Sequence, residues 1–87
     1  MRAENMTNNG KALRHQIIIH GSDGEYFQSY GVIVAKVTTR RIYLDRTHWD
    51  KNATTRKYRE QFLMESTETT RNKIDRGIYT LADLNES

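Results

Sequence analysis

The chain contains no cysteine and no proline, and no apolar run approaches the ~20 residues that a membrane-spanning helix requires. The absence of cysteine excludes disulfide bonds, thiolate catalysis and zinc sites built from thiolates. Residues 1–16 lack the apolar centre of a signal peptide, so the sequence predicts a cytoplasmic protein without membrane contact. The absence of proline excludes little on its own.

What remains is a short, polar chain. Its 87 residues are 36% hydrophobic and 29% charged, which is polar for a globular domain but outside the disordered range. Such a length allows one domain with a small core, so any site must lie on the surface or in a shallow groove. Residues 1–12 are polar and show no periodicity, and we predict a disordered tail there, followed by a single domain over residues 13–87.

The first half of that domain has the pattern of strands. Residues 15–20 (HQIIIH) carry three consecutive β-branched side chains and precede a turn at residues 21–24 (GSDG). Residues 25–37 then predict one long strand, with Gly31 marking a bulge or a place where another element lies close. Residues 42–45 (IYLD) predict a third strand that forms a hairpin with the second.

The periodicity changes to that of helices after residue 52. Tyr58 and Phe62 stand four positions apart, so they lie on one face of a helix that Thr54 or Thr55 could cap. A second helix is predicted from residues 66–67 to Gly77, and residues 78–84 predict a last strand or extended segment. Strands gathered before helices favour the α+β class: a three-stranded antiparallel meander, two short helices packed on one face, and a C-terminal strand.

Positive charge is concentrated in the middle of the chain. Residues 38–64 carry 7 basic and 3 acidic groups (7 − 3 = +4), whereas residues 65–87 carry 3 and 5 (3 − 5 = −2). Basic side chains bind phosphates, and interleaved aromatic rings stack on unpaired bases, but Trp, Tyr and Arg are equally typical anchors of protein interfaces. The alternative is that these charges only solvate a helix. The residues predicted to form a binding surface are Arg40, Arg41, Arg46, Trp49, Lys51, Arg56, Lys57 and Arg59.

A second hypothesis concerns Asp45, His48 and Asp50, three potential metal ligands within six positions. They would support a metal-dependent nuclease if the turn brought them together. A metal site usually needs a further ligand and supporting hydrogen bonds, and the sequence supplies neither. We therefore interpret this segment as a strand-to-helix corner, and we expect neither a metal, nor a cofactor, nor enzymatic activity.

Residues 29–85 carry a pattern of three motifs: Leu44, Asp45 and Trp49, then residues 54–63 (TTRKYREQFL), then Lys73, Ile74, Gly77, Tyr79, Leu84 and Asn85. With this pattern the chain resembles a group of small proteins encoded by tailed bacteriophages. The resemblance implies no reaction and no cofactor. It implies an accessory protein that binds a host or phage protein, including nucleic-acid-processing complexes such as CRISPR or restriction effectors, and inhibits it. The alternative from the residues themselves is nucleic-acid binding through the basic and aromatic surface of residues 40–59.

Overall fold

Six strands and two helices make up the computed structural model, which describes residues 2–85. The elements are β1 (Arg2–Asn8), β2 (Lys11–Gly21), β3 (Gly24–Ser29), β4 (Val32–Val37), β5 (Ile42–Asp45), α1 (Ala53–Leu63), α2 (Thr67–Asp75) and β6 (Thr80–Ala82). They form one sheet in the order β1-β2-β3-β4-β5-β6, with antiparallel neighbours except β5 and β6, which are parallel. The α+β class is confirmed. None of the helices in the described range has the length and apolar character to cross a membrane.

The sheet has more strands than the sequence predicted, because two tight hairpins were missed. Residues 2–8, predicted as a disordered tail, form β1 and pair with β2. Asn9 and Gly10 both have positive φ (53° and 80°), as a two-residue hairpin turn requires. Tyr30 and Gly31 repeat that conformation (52° and 80°), so the predicted long strand over residues 25–37 is in fact β3 and β4.

The predicted turn at residues 21–24 is confirmed between β2 and β3, and its last residue has to be glycine. Gly24 has φ +151°, and a Cβ there would lie 2.2 Å from the carbonyl oxygen of Val37 on β4. A side chain at this position would therefore push β3 away from the adjacent strand.

Both helices have side-chain caps at their first turns. Asn52, rather than the predicted Thr54 or Thr55, caps α1, and its Oδ1 accepts from the backbone N–H of Thr55 at 2.9 Å. Ser66 caps α2, and Gly77 follows α2 in the left-handed conformation (φ +76°).

Helix α1 packs on one face of the sheet, and Ile74 of α2 joins the same hydrophobic core, so we call this the covered face. One row of cross-strand neighbours lines this face: Ile18, Phe27, Ala35, Leu44 and Leu81. From α1, the ring of Phe62 stacks on that of Phe27 with centroids 5.7 Å apart, and Tyr58 is 5% exposed. The predicted core face of α1 is thereby confirmed. Along each strand, the residues next to this row point to the opposite face. Neither helix packs on that face in the described part of the chain, and we call it the open face.

Candidate binding surface

The loop of residues 46–52, between β5 and α1, is built around one buried carboxylate. Asp45 ends β5, and its Oδ2 accepts from both the backbone N–H and the Nδ1 of His48 (3.0 and 2.6 Å). Its Oδ1 accepts from the backbone N–H of Leu84 at 2.9 Å. Burial alone would raise the pKa of Asp45, but these hydrogen bonds outweigh burial and lower the pKa. Asp45 therefore fixes the strand-to-helix corner and ties it to the segment after β6.

The structure brings only two of the three potential metal ligands together. Asp45 and His48 are hydrogen-bonded, whereas the carboxylate of Asp50 is engaged by arginines from α1 and α2. Over residues 2–85 no group of three or more His, Asp or Glu side chains is arranged to hold a metal ion. The geometry of this corner is that of a structural turn.

Asp50 organises a cluster of arginines that we call the Asp50 cluster, composed of Trp49, Asp50, Arg56, Arg59 and Arg71. The Asp50 carboxylate accepts from Arg56 Nε at 2.7 Å and from Arg71 Nη2 at 2.6 Å, and Arg59 Nη1 lies 3.8 Å away. The ring of Trp49 is flanked by the guanidinium groups of Arg59 and Arg71, at 5.0 and 5.4 Å from its centroid. Three guanidinium groups and one carboxylate leave the cluster with two net positive charges (3 − 1 = +2).

Arg59 is a support of this cluster, and its predicted place on the binding surface is wrong. Its side chain is 0% exposed. It donates to the backbone carbonyl of Trp49 and to Thr67 Oγ1, so it links the loop, α1 and α2. Burial lowers the pKa of Arg59, and the nearby carboxylates of Asp50 and Glu60 partly offset this effect. A buried guanidinium cannot meet a partner directly, but it holds the residues that can.

Trp49 is also less available than the sequence predicted. It is half-buried and packs against the hydrophobic core. A substitution of Trp49 would therefore disturb folding as well as binding.

The remaining predicted residues are exposed, but the structure does not bring them together. Arg40 and Arg41 lie in the turn after the C-terminal end of β4. The first turn of α1 lies beside the other end of β4, where Thr55 Oγ1 and Ser29 Oγ are 3.0 Å apart. Six residues of β4 separate the two ends by roughly 17 Å. The exposed basic residues near the α1 end are Arg46, which pairs with Asp83 at 3.5 Å, and Lys51, Arg56 and Lys57.

Sequence reasoning missed Arg71. It lies in α2, outside the basic run, and it joins the cluster only because α2 packs beside the loop. Its aromatic and carboxylate partners lie more than twenty positions away along the chain, so no local pattern indicates it.

A groove of about 290 Å³ opens at the α1 end of the sheet, beside the loop. Its lining residues are Ser29, Tyr30, Val32, Val34, His48, Lys51, Asn52 and Thr55. The one serine in it is buried and bonded to a threonine of α1, and the Asn52 side chain caps that helix. Ser29 and Asn52 thus serve the helix start, His48 is bonded to Asp45, and the exposed charge of the groove is Lys51.

Comparisons of the chain with protein-family models, with curated proteins and with solved structures find no match.

Proposed function

We propose that this protein is a non-enzymatic accessory protein of the tailed-phage type that binds a host or phage protein through the exposed side of the Asp50 cluster. The observation that carries the proposal is the fixed arrangement of Arg56 and Arg71 on the two sides of one carboxylate, beside an immobilised tryptophan. Their side chains remain 45% and 51% exposed.

Fixed guanidinium groups are well suited to an interface. Holding a long side chain in one conformation before binding lowers the entropy that association would otherwise cost. Arginine also presents paired N–H donors that match a carboxylate. With two positive charges in excess, and Lys51 and Lys57 exposed nearby, the surface would complement an acidic patch on a partner.

A protein partner is favoured over nucleic acid at this surface. A phosphate backbone is best followed by basic groups spread along a line or groove. Here the arginines converge on a single carboxylate, and Arg40 and Arg41 lie at the far end of the sheet. Nucleic-acid binding through residues 40–59 remains the alternative, and it predicts an affinity that falls steeply with salt.

The target class comes from the phage resemblance, which points to a host defence complex such as a CRISPR or restriction effector. To test this, the tagged protein is used to capture partners from extracts of a defence-competent bacterial host. Mass spectrometry then identifies the components of any stoichiometric complex. The purified effector is then assayed for cleavage with and without this protein. We expect inhibition that saturates at a fixed ratio of the two proteins.

Two matched variants locate the interface. Arg71→Glu should weaken the complex about 30-fold or more, the loss typical of a central interface residue. Arg40→Glu makes the same charge change at the opposite end of the sheet and should leave affinity nearly unchanged. An equal loss in both variants would show that net charge, and not this surface, determines binding. Failure to recover any stoichiometric complex would remove the proposal itself.

A further inference from the structure

The open face of the sheet carries a second, different constellation. Strand register places five residues in one row across it, with Lys36 in the middle: Ile19, Tyr26, Lys36, Tyr43 and Thr80. A second row passes through Ile17, Gln28 and Ile33. All of these side chains are partly exposed, and the isoleucines of the two rows lie outside the hydrophobic core cluster.

Two tyrosines on this face stand two strands apart with a lysine between them. Strands are spaced at about 4.8 Å, so Tyr26 and Tyr43 are separated by about 10 Å along the row. Lys36 Nζ lies 5.2 Å from the centroid of Tyr26. At the β6 side, Arg41 reaches the same row and donates to Thr80 Oγ1 at 2.8 Å. Aromatic rings and cations therefore alternate across the face.

Charge is distributed unequally between the two faces. The glutamates of the first three strands, Glu4 and Glu25, contact His20 on the covered side. Among the strand residues that the register places beside Tyr26 and Tyr43 on the open face, Lys36 is charged and partly exposed, whereas Asp45 is buried under His48. One further carboxylate, Asp23 in the β2–β3 turn, pairs with Lys36 at 3.1 Å and accepts from the Tyr26 hydroxyl at 3.0 Å. This face therefore offers cations to a ligand and few competing carboxylates.

We propose that the open face binds single-stranded nucleic acid, with bases stacked on Tyr26 and Tyr43 and phosphates contacted by Lys36 and Arg41. Aromatic side chains on a sheet are suited to unpaired bases because every base offers a π-face. Lys36 would exchange the Asp23 carboxylate for a phosphate, and the Gln28 amide could hydrogen-bond a base edge. This site is separate from the Asp50 cluster, which lies on the helix side of the sheet.

A second copy of this chain fits the open face less well. A two-fold axis through the centre of the face would bring Lys36 of each copy towards its equivalent, with Arg41 at both sides. Each Lys36 is paired with its own Asp23, so such a contact would have to bury two ion pairs and offset the cost of removing them from water. A phosphate ligand neutralises the same two cations instead.

The test uses the full chain and fluorescein-labelled 15-nucleotide probes, oligo(dT) and oligo(U), followed by fluorescence anisotropy at 50 mM salt. Tyr43→Leu keeps apolar area but removes the stacking surface, and it should weaken binding about fivefold or more. Tyr43→Phe keeps the ring and should bind like the unaltered protein. With two phosphates neutralised, the slope of log affinity against log salt should be about −1.4, and Lys36→Gln should make it shallower by about 0.7.

Arg56→Gln, on the helix side, separates this proposal from the preceding one. Unchanged affinity for the probes in that variant supports the open face as the site. Loss of affinity in Arg56→Gln with no loss in Tyr43→Leu would overturn it, as would absence of binding to both probes at 50 mM salt. Light scattering after size exclusion measures whether the protein is a dimer. A dimer that becomes monomeric in Tyr43→Leu would show that a second copy, and not nucleic acid, covers this face.

Discussion

Substitution of Arg59 decides whether the middle of the basic run belongs to the surface or to the interior. The sequence placed Arg59 with Arg56 on a binding surface, but the structure buries the first and leaves the second 45% exposed. Arg59→Ala removes hydrogen bonds to Trp49 and Thr67 that connect the loop to both helices. Arg56→Ala removes only an exposed ion pair with Asp50. The two variants have the same change in charge and very different structural consequences.

The magnitude follows from what each change removes. Each lost hydrogen bond from a charged donor costs about 1.5–3 kcal/mol, and two buried methylenes cost about 0.8 kcal/mol each. Relief from holding a charge in the interior offsets several kcal/mol of this. We expect Arg59→Ala to reduce the free energy of unfolding by about 3 kcal/mol, or roughly 12–24 °C in Tm. Arg56→Ala should cost at most about 1 kcal/mol, the range of exposed ion pairs.

Thermal and urea unfolding followed by circular dichroism measure both variants under the same conditions. If the dependence of the unfolding free energy on urea concentration has the same slope in both variants, the shift in the urea midpoint gives the change in stability. If the free energies of unfolding of Arg59→Ala and Arg56→Ala differ by less than about 1 kcal/mol, Arg59 is not a buried link between the helices. The burial of this side chain in the structure would then be wrong.

Three further substitutions test the sheet and the corner. Gly24→Ala places a Cβ 2.2 Å from the Val37 carbonyl oxygen and should lower the free energy of unfolding by about 3 kcal/mol or more. Gly10→Ala has open space around it and should lower that free energy by about 1–2 kcal/mol. A smaller shift of the urea midpoint for Gly24→Ala than for Gly10→Ala would contradict the close approach of β3 and β4. Because the pKa of Asp45 is lowered in the folded state, its carboxylate contributes stability above the unfolded-state pKa, and this contribution is lost as pH falls through the folded-state pKa. Below about pH 4, the stability of Asp45→Asn should therefore decline less steeply than that of the unaltered protein. Unfolding of both proteins in urea between about pH 7 and pH 2 measures this, and parallel pH profiles would show that the carboxylate is not held by these hydrogen bonds.

The class of the fold was predictable, and the number of strands was only partly so. Consecutive isoleucines and the change to a four-residue period mark β2 and α1 without tertiary information. Asn9–Gly10 is a strong hairpin signal that the polar character of residues 1–12 obscured. Tyr30–Gly31 is harder, because tyrosine seldom adopts positive φ and the apolar run after it looks continuous with the strand before it.

The candidate surface was less predictable, because burial of a charge depends on residues remote in sequence. The spacing of Arg56 and Arg59 places both on one side of a helix, and nothing local distinguishes them. α2 makes the difference: Thr67 accepts from Arg59, and Arg71 approaches Asp50 from outside. A prediction based on the density of basic residues finds the region but assigns the wrong members.

The two proposed surfaces follow from one feature of the fold, the placement of both helices on a single face of a six-stranded sheet. On the covered face, the helices and the loop before them gather arginines around Asp50, and that convergence suits a compact acidic patch. On the open face, strand register spaces Tyr26, Lys36 and Tyr43 in a row, and a row suits an extended chain of bases and phosphates. Because the sheet separates the two, a partner protein and a nucleic-acid strand could be held at the same time without competing for residues. The two proposals together predict contacts with both the protein and the nucleic-acid component of one complex, through opposite faces of the sheet.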